Sequence, residues 1–260
     1  MSVPYKDPLI LARRQDIYSK FGANKEDLYD FIIDKIPKRQ YNIMLDAGTG
    51  NGTFLEICSN KISVDQIMAN DIEIRMLCEA HDKKYDHYPM FFQADLNKLQ
   101  LEDNCLNLIT AIHVLYYTRP DEVLEIFYRS LRKNGVLIST ANSMHDMQYI
   151  QDLHGNVIGT GHHVSRNHTF MLENAKDYLD RVFKNSISYT YENDIIFPSN
   201  ESLLDFYSDL WIRMDKNGDL DWNLDDHEIE LRKEKARKII GSENKSHRIR
   251  KIVGVFTSTK

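Results

Sequence analysis

The sequence lacks any long apolar run, and this excludes a membrane-spanning helix of ordinary length. A helix needs about 20 mostly apolar residues to cross a bilayer, and no run of even about 18 occurs. The apolar stretch near the start of the 260-residue chain is too short for the core of a signal peptide, and charges surround it. We therefore expect a cytoplasmic protein.

Cysteine is scarce, and its placement excludes the usual cysteine-based sites. The chain has three cysteines, Cys58, Cys78 and Cys105. Their spacing matches neither a disulfide framework nor a metal-binding motif. Buried or inert thiols in a reducing compartment are the expected state.

An excess of positive charge is also absent. The formal net charge is −6 at pH 7, whereas general nucleic-acid binding usually needs a basic footprint. One local basic run extends from Arg232 to Lys251, and it fits either a solvated helix face or contact with a phosphate or an acidic partner. With 42% hydrophobic residues, the chain has enough apolar material for one α/β domain with an added lid, or for two small domains.

The stretch from Tyr41 to Asn60 carries a pattern typical of a ligand-binding turn. A short apolar strand ends in Asp46, and Gly48, Gly50 and Gly52 follow with the spacing G-x-G-x-G. Apolar residues at helical spacing come next. Glycines allow a sharp turn and a close approach of a ligand to the backbone, and a helix start offers free N–H groups.

Two cofactor classes use such a turn, and the acid before it separates them. Dinucleotide-binding enzymes favour G-x-G-x-x-G, with the pyrophosphate at the helix N-terminus. Here Asp46 lies close to that position, where it would repel a diphosphate and suit a cationic ligand. The segment from Asp46 to Gly52 closely resembles the first motif of class I S-adenosylmethionine (SAM)-dependent methyltransferases. The resemblance implies that Asp46, Gly48 and Gly50 hold the amino-acid end of SAM.

Two further strands are each predicted to end in an acid. Asp71 follows the glycines by about 20 residues, the interval expected for a ribose-binding carboxylate, although a helix N-cap would also suit it. The resemblance implies that Asp71 binds the ribose of SAM, with Ile72 beside it. It also implies that Asp95 accepts a hydrogen bond from the adenine amino group, while the backbone of Leu96 serves a ring nitrogen.

The segments that follow complete the expected fold. A fourth strand leads to His113, which the resemblance places under the methionine part of SAM, although a buried, hydrogen-bonded histidine is an alternative. A helix over 121–132 with glycine termination at Gly135 is predicted next, and a fifth strand from Val136. We expect an α/β fold: a Rossmann-like, seven-stranded, mostly parallel sheet with helices on both faces and a helical lid. The last strand, from Ile252, would insert antiparallel between the fifth and sixth.

Two amphipathic helices precede the first strand, and helices in this position often close over the cofactor in the family. Arg14 and Tyr18 could then reach the SAM carboxylate. A solvated arginine and a packing aromatic are the alternatives. We divide the single domain into lid helices (1–40), a SAM-binding core (41–142), and the rest of the sheet with a substrate-binding loop and a helical insertion (143–260).

Histidines crowd the segment from 142 to 170, which holds five of the ten in the chain. The pattern predicts a glycine- and histidine-rich active-site loop, in which His145 or His163 acts as a general base because the histidine pKa lies near working pH. A polar surface loop is the alternative. No metal site is expected, because the histidines lack the spacing that would bring ligands together on one regular element.

Together these features resemble the small-molecule, type 11-like branch of the SAM-dependent methyltransferases, and the resemblance implies such an enzyme. It would transfer a methyl group to a nitrogen or oxygen of a small-molecule acceptor of bacterial, including secondary, metabolism, and release S-adenosylhomocysteine (SAH). A monomer or homodimer is expected, with no membrane or nucleic-acid partner. An RNA or protein methyltransferase, a non-catalytic SAM-binding protein and a nicotinamide-dependent oxidoreductase are the alternatives.

Overall fold

A computed structural model of the chain describes residues 8–161, 169–216 and 220–260. Within these residues, seven strands form one sheet. The strands are β1 (Tyr41–Ala47), β2 (Val64–Asp71), β3 (Met90–Gln93), β4 (Leu106–Ala111), β5 (Leu131–Asn142), β6 (Asn185–Phe197) and β7 (His247–Thr259). Their order across the sheet is β3-β2-β1-β4-β5-β7-β6, and β7 runs antiparallel to both of its neighbours. The predicted fold class and the position of the last strand are confirmed.

Helices flank this sheet. They are α1 (Pro8–Phe21), α2 (Leu28–Ile33), α3 (Thr53–Ser59), α4 (Ile74–His81), α5 (Pro120–Ser130), α6 (Gln148–Ile158), α7 (Ala175–Val182), α8 (Asn200–Asp209) and α9 (Asp226–Ile240). In the part of the chain that the structure describes, no helix is both long and apolar enough to cross a membrane.

The central strand shows why helices are needed on both faces. Met44 and Leu45 are neighbours in β1, so their side chains point to opposite faces, and both are fully buried. Leu45 belongs to the apolar cluster that contains Phe127 of α5, whereas Met44 belongs to the cluster that contains Leu55 of α3. Such continuous apolar strands are typical of a parallel sheet covered on both sides.

The strand order places a crevice where the chain changes direction across the sheet. β1 pairs with β2 on one side and with β4 on the other, both in parallel. Asp46 lies opposite Ala69 and Thr110, and Asp71 lies opposite Gln93. The carboxyl ends of these strands therefore meet at one edge, the position where open α/β sheets bind ligands.

Helix α1 is fixed over this edge through the outermost strand. Gly22 forms an antiparallel bridge with Ile195 of β6, and the N–H of Ala23 donates to the carbonyl of Asp194 at 2.7 Å. The apolar face of α1, with Ile10 buried, packs in the cluster that also contains residues of α6, α8 and α9. This helical layer lies beside the carboxyl end of β5, from which α6 follows directly.

The predicted boundary between the fifth helix and the fifth strand is wrong. The helix ends at Ser130, and Leu131 is already extended and pairs with Leu106. Pairing then shifts register before it resumes at Val136, with Asn134 in the left-handed region at φ 63°. The first residues of β5 are extended because they pair with β4, although the sequence pattern around them is helical.

The predicted histidine-rich loop from 142 to 170 is wrong over 148–158, because these residues form α6. Ile150, Leu153 and Val157 recur at helical spacing and are buried. Phe170 has a left-handed φ of 57°, and the next helix, α7, begins at Ala175.

Candidate functional site

The glycine loop between β1 and α3 has a backbone that favours glycine at each of its three glycine positions. Gly48, Gly50 and Gly52 have φ of 72°, 58° and 75°, in the left-handed region. A Cβ on Gly48 would lie only 2.4 Å from Cγ2 of Val114, and one on Gly52 only 2.8 Å from Cβ of Ala80. The loop is therefore packed closely against the segment after β4 and against α4.

Asp71 holds this loop in place. Its Oδ2 accepts a hydrogen bond from the N–H of Gly50 at 2.9 Å, and its Oδ1 accepts one from the N–H of Glu73 at 2.9 Å. Burial raises the pKa of Asp71, and hydrogen bonds from backbone N–H groups partly oppose the rise. The end of β2 and the glycine turn thus form one hydrogen-bonded unit.

Asp46 lies deeper at the same edge, with 2% of its surface exposed. The hydroxyl of Thr110 donates to its Oδ1 at 2.5 Å. Burial raises the pKa of Asp46 to about 6; hydrogen bonds from Thr110 and a second threonine lower it, and the charge of Asp71 raises it. The Asp46 carboxylate is thus costly to ionise in isolation, and a cationic ligand would offset that cost.

Asp95 is the most accessible of the three acids. Burial raises its pKa, but hydrogen bonds from Asn97 and nearby positive charges outweigh this, so the pKa lies below its ordinary value. Both the backbone N–H and the side-chain amide of Asn97 donate to Oδ1 of Asp95. Leu96 is buried beside it, whereas Ile72, which follows Asp71, is 45% exposed. An uncovered apolar side chain therefore directly follows Asp71 at this edge.

His113 follows β4 in a left-handed conformation, with φ 55°. Its backbone N–H donates to the hydroxyl of Thr140 at 2.8 Å, which ties the ends of β4 and β5 together. Burial lowers the pKa of His113 to about 3, and the positive charge of Lys251 contributes. The ring is neutral at physiological pH and a weak proton acceptor.

Helix α1 covers the glycine loop with two residues that sequence reasoning missed. Cδ2 of Leu11 lies 3.5 Å from a Cβ placed on Gly50. Oε1 of Gln15 accepts hydrogen bonds from the amide of Asn51 at 3.0 Å and the hydroxyl of Thr53 at 3.2 Å. The sequence indicates only that α1 is an amphipathic helix. It does not show which polar residue of α1 faces the loop.

Arg14 and Tyr18 of α1 lie together on the side of β5 and β7. A guanidinium nitrogen of Arg14 donates to the Tyr18 hydroxyl at 3.3 Å, and the Arg14 guanidinium also lies over the ring of Phe206. The ammonium of Lys251 is 5.0 Å from the centroid of the Tyr18 ring and 3.6 Å from Oδ2 of Asp146. Contact of Arg14 and Tyr18 with the SAM carboxylate stays a prediction.

The histidines after β5 separate into different environments. His145 is exposed in the turn before α6, and its backbone N–H donates to the hydroxyl of Ser143 at 3.0 Å. His154 is completely buried, with its ring nitrogens near the Tyr207 hydroxyl and the Met214 carbonyl, at 2.9 and 3.2 Å. It serves the core. His163 lies outside the described residues, so both general-base assignments stay predictions.

The basic run from Arg232 to Lys251 is divided between α9 and β7, and much of its charge is paired locally. Its arginines pair with acids of the same helix or of neighbouring segments. The pairs are Arg232–Glu228 at 2.7 Å, Arg237–Glu201 at 3.8 Å, Arg248–Asp194 at 3.0 Å and Arg250–Glu192 at 3.7 Å. The run is therefore not one continuous cationic surface.

Comparisons with known proteins agree with this geometry. Residues 45–139 match the family model of a methyltransferase domain. This segment includes the glycine loop and all three acids, but not helix α1, which covers the loop. The chain is 25% identical over 146 residues to a malonyl-[acyl-carrier protein] O-methyltransferase of Marinomonas sp., and the aligned segment covers 54% of each protein. The chain thus spans about half the length of the curated relative that it matches.

Solved structures share the fold. One is Haemonchus contortus phosphoethanolamine N-methyltransferase 2 with phosphomonomethylethanolamine and SAH, at a TM-score of 0.58 and 17% identity, covering 99% of this chain and 59% of that one. Another is the YcgJ protein of Bacillus subtilis, at a TM-score of 0.56 and 10% identity, covering 89% and 97%. The matched segment identifies residues 45–139 as a methyltransferase domain, and the seven-stranded sheet that contains them has a Rossmann-like methyltransferase fold.

Proposed function

We propose that this protein transfers the methyl group of SAM to a nitrogen or oxygen atom of a small-molecule acceptor, of the kind that bacterial metabolism, including secondary metabolism, supplies. The observation that carries the proposal is the hydrogen bond from Gly50 to Asp71, which joins the glycine turn to a carboxylate at the crevice of the sheet. Asp46 and Asp95 lie at the same edge. The ends of β1, β2 and β3 would then each bind one part of an adenosyl compound.

The residues present fit SAM part by part. Asp95 and the backbone of Leu96 would hold the adenine, and exposed Ile72 would cover one face of the ring. Asp71 would accept hydrogen bonds from the ribose hydroxyls. The amino-acid end would lie at Gly48, Gly50 and Asp46, with His113 beside the methionine part.

A dinucleotide fits the same edge less well. Its diphosphate would lie at the glycine turn, within reach of Asp46 and Asp71. Burial already raises the pKa of both carboxyls, and each raises the energy of another negative charge nearby. A sulfonium with an ammonium group reverses the sign of this interaction.

Positioning is the protein's main contribution to such a reaction. SAM supplies an activated methyl group, and alignment of acceptor and methyl carbon in a water-poor site provides the rate. A base is needed only where the acceptor must lose a proton. His113, whose pKa is about 3, is a poor candidate, whereas His145 and His163 remain the proposed ones.

Calorimetry with SAM, SAH and NAD tests the cofactor. We expect SAM and SAH to bind at least about tenfold more tightly than NAD, a difference of about 1.4 kcal/mol. Release of SAH in the presence of acceptor mixtures then separates an enzyme from a non-catalytic SAM-binding protein. Preference for NAD, or binding of neither compound, contradicts the proposal.

The pH dependence of SAM binding tests the assignment of Asp46. Because burial raises the pKa of Asp46 to about 6, the carboxyl is protonated below that pH and cannot pair with a cation. We expect affinity for SAM to fall by up to about tenfold per unit as pH drops below about 6. Asp46→Asn keeps an acceptor for the Thr110 hydroxyl and should bind weakly with a flatter profile. A profile in Asp46→Asn as steep as in the wild type removes this assignment.

The division into lid (1–40), cofactor core (41–142) and acceptor region (143–260) belongs to the same proposal, as does a monomeric or homodimeric state. Local pairing of the arginines between 232 and 250 supports a small molecule over RNA as the acceptor. RNA binding that weakens steeply with salt would favour the RNA methyltransferase alternative.

A further inference from the structure

Four polar side chains meet beside the carboxyl end of β5, and none of them is one of the three aspartates proposed to bind SAM. Two of the four, Arg14 and Tyr18, are predicted from the sequence to contact the SAM carboxylate, which is the alternative ligand. We call Arg14, Tyr18, Asp146 and Lys251 the cationic cluster. The Lys251 and Asp146 side chains are 9% and 10% exposed, and Arg14 is 8% exposed. Lysine is rarely buried to this extent without a specific partner.

The cluster lies where an acceptor would be expected. Because β7 is antiparallel, its first residues lie at the carboxyl edge of the sheet, with Val253 opposite Asn142 at the end of β5. The charge of Lys251 acts on His113 at the end of β4. With SAM over β1, β2 and β3, its methionine end points toward β4. The neighbouring space over β4, β5 and β7 then belongs to the acceptor.

Two groups of the cluster, the Lys251 ammonium and the Tyr18 hydroxyl, can donate hydrogen bonds to a ligand. The carboxylate nearest to the Lys251 ammonium, Oδ2 of Asp146, lies 3.6 Å away, beyond an ordinary hydrogen bond. The other oxygen of Asp146 accepts the N–H of Ile252 at 2.8 Å. The Tyr18 hydroxyl accepts from Arg14, and among the described residues no hydrogen bond uses its own hydrogen.

A purely structural role explains only part of this arrangement. The Lys251–Asp146 pair and the Ile252 hydrogen bond would fasten β7 to the turn before α6. That role does not require the ring of Tyr18, which belongs to a different element, α1, to lie against the same ammonium, nor Arg14 to donate to the Tyr18 hydroxyl. Donors that converge from a lid helix and a strand edge are typical of an anion site.

We propose that the acceptor carries an anionic group, a carboxylate or a phosphate, which Lys251 and Tyr18 bind with Arg14 behind them. The inference rests on the proposed function, because only a methyl donor over β1 to β3 makes this side the acceptor side. Lys251 is thus a specificity-determining residue: it would fix one end of the acceptor and leave the nucleophilic atom facing the end of β4.

Titration of malonate and of inorganic phosphate into the SAH-saturated protein, followed by calorimetry, tests this proposal. We expect saturable binding of at least one probe, and the probe that binds distinguishes a carboxylate from a phosphate. Lys251→Met should weaken that binding at least about tenfold, and Lys251→Arg should restore most of it. Lys245→Met removes the same charge from an exposed position just before β7 and should change little.

SAH affinity, measured first in every variant, separates the possible failures. Absence of SAH binding in the wild type defeats the proposed function and this inference with it. If SAH binds but neither anion does at tens of millimolar, or if Lys251→Met binds the anion normally, the inference alone is overturned. A loss of SAH affinity in Lys251→Met without anion binding assigns Lys251 to the SAM carboxylate instead. The double variant Asp146→Asn/Lys251→Met avoids an unpaired buried carboxylate and repeats the measurement if the single variant misfolds.

Discussion

Asp71→Ala should weaken SAM binding by about 1–3 kcal/mol, the range for lost hydrogen bonds to a charged group. The carboxylate would bind the ribose and also orients the turn, since its two oxygens accept from the N–H groups of Gly50 and Glu73. Removal therefore takes away a ligand contact and loosens the loop that holds the other end of the cofactor. Calorimetry with SAM gives the loss directly.

Two companion variants separate these roles. Asp71→Asn retains one acceptor oxygen, so it should keep part of the loop geometry while it loses the charge. Asp95→Ala should cost less, because Asp95 is more accessible and its hydrogen bonds are local, to Asn97. Thermal unfolding of each variant reports the loss of structure independently of SAM. If Asp71→Ala binds SAM as tightly as the wild type does, the ribose assignment is wrong.

The sequence predicts the parts of the site that depend on neighbouring residues. β1, β2 and β3 are each a short apolar run that ends in an acid or is closely followed by one. The order of strands and acids therefore indicates that Asp46, Asp71 and Asp95 lie at one edge. The left-handed backbone at Gly48 and Gly50 follows from the same logic, because glycine is the residue that adopts it without strain.

Features that depend on distant residues could not be predicted in this way. Leu131 follows a helical pattern, yet it is a strand residue because Leu106 offers it a pairing partner. Asp146 and Ile252 are 106 positions apart, so no local pattern reveals their hydrogen bond. The segment after β5 is rich in histidine, but the feature that indicates α6 is its apolar periodicity. At Leu131, a tertiary contact overrides the local helical pattern.

Gly48→Ala should be strongly destabilising. An alanine at φ 72° is strained by about 1–2 kcal/mol, as for any residue with a Cβ in the left-handed region. Its Cβ would also lie 2.4 Å from Cγ2 and 2.9 Å from Cβ of Val114, a stiff β-branched side chain, and overpacking of this kind costs about 1–3 kcal/mol more. We expect a lower free energy of unfolding and loss of measurable SAM binding.

Gly159→Ala is the matched control, because it separates strain from collision. Gly159 ends α6 with φ 80°, and a Cβ there would meet nothing within 4 Å, so its alanine variant should show the strain alone. The double variant Gly48→Ala/Val114→Ala should recover much of the additional loss, with a coupling energy of about 1–3 kcal/mol in the double-mutant cycle. Chemical denaturation of the four proteins in that cycle measures it. Equal losses in Gly48→Ala and Gly159→Ala, with no coupling to Val114, would mean that the loop moves away from the end of β4 at little cost. Close packing against Val114 would then not be required to hold the glycine loop in place.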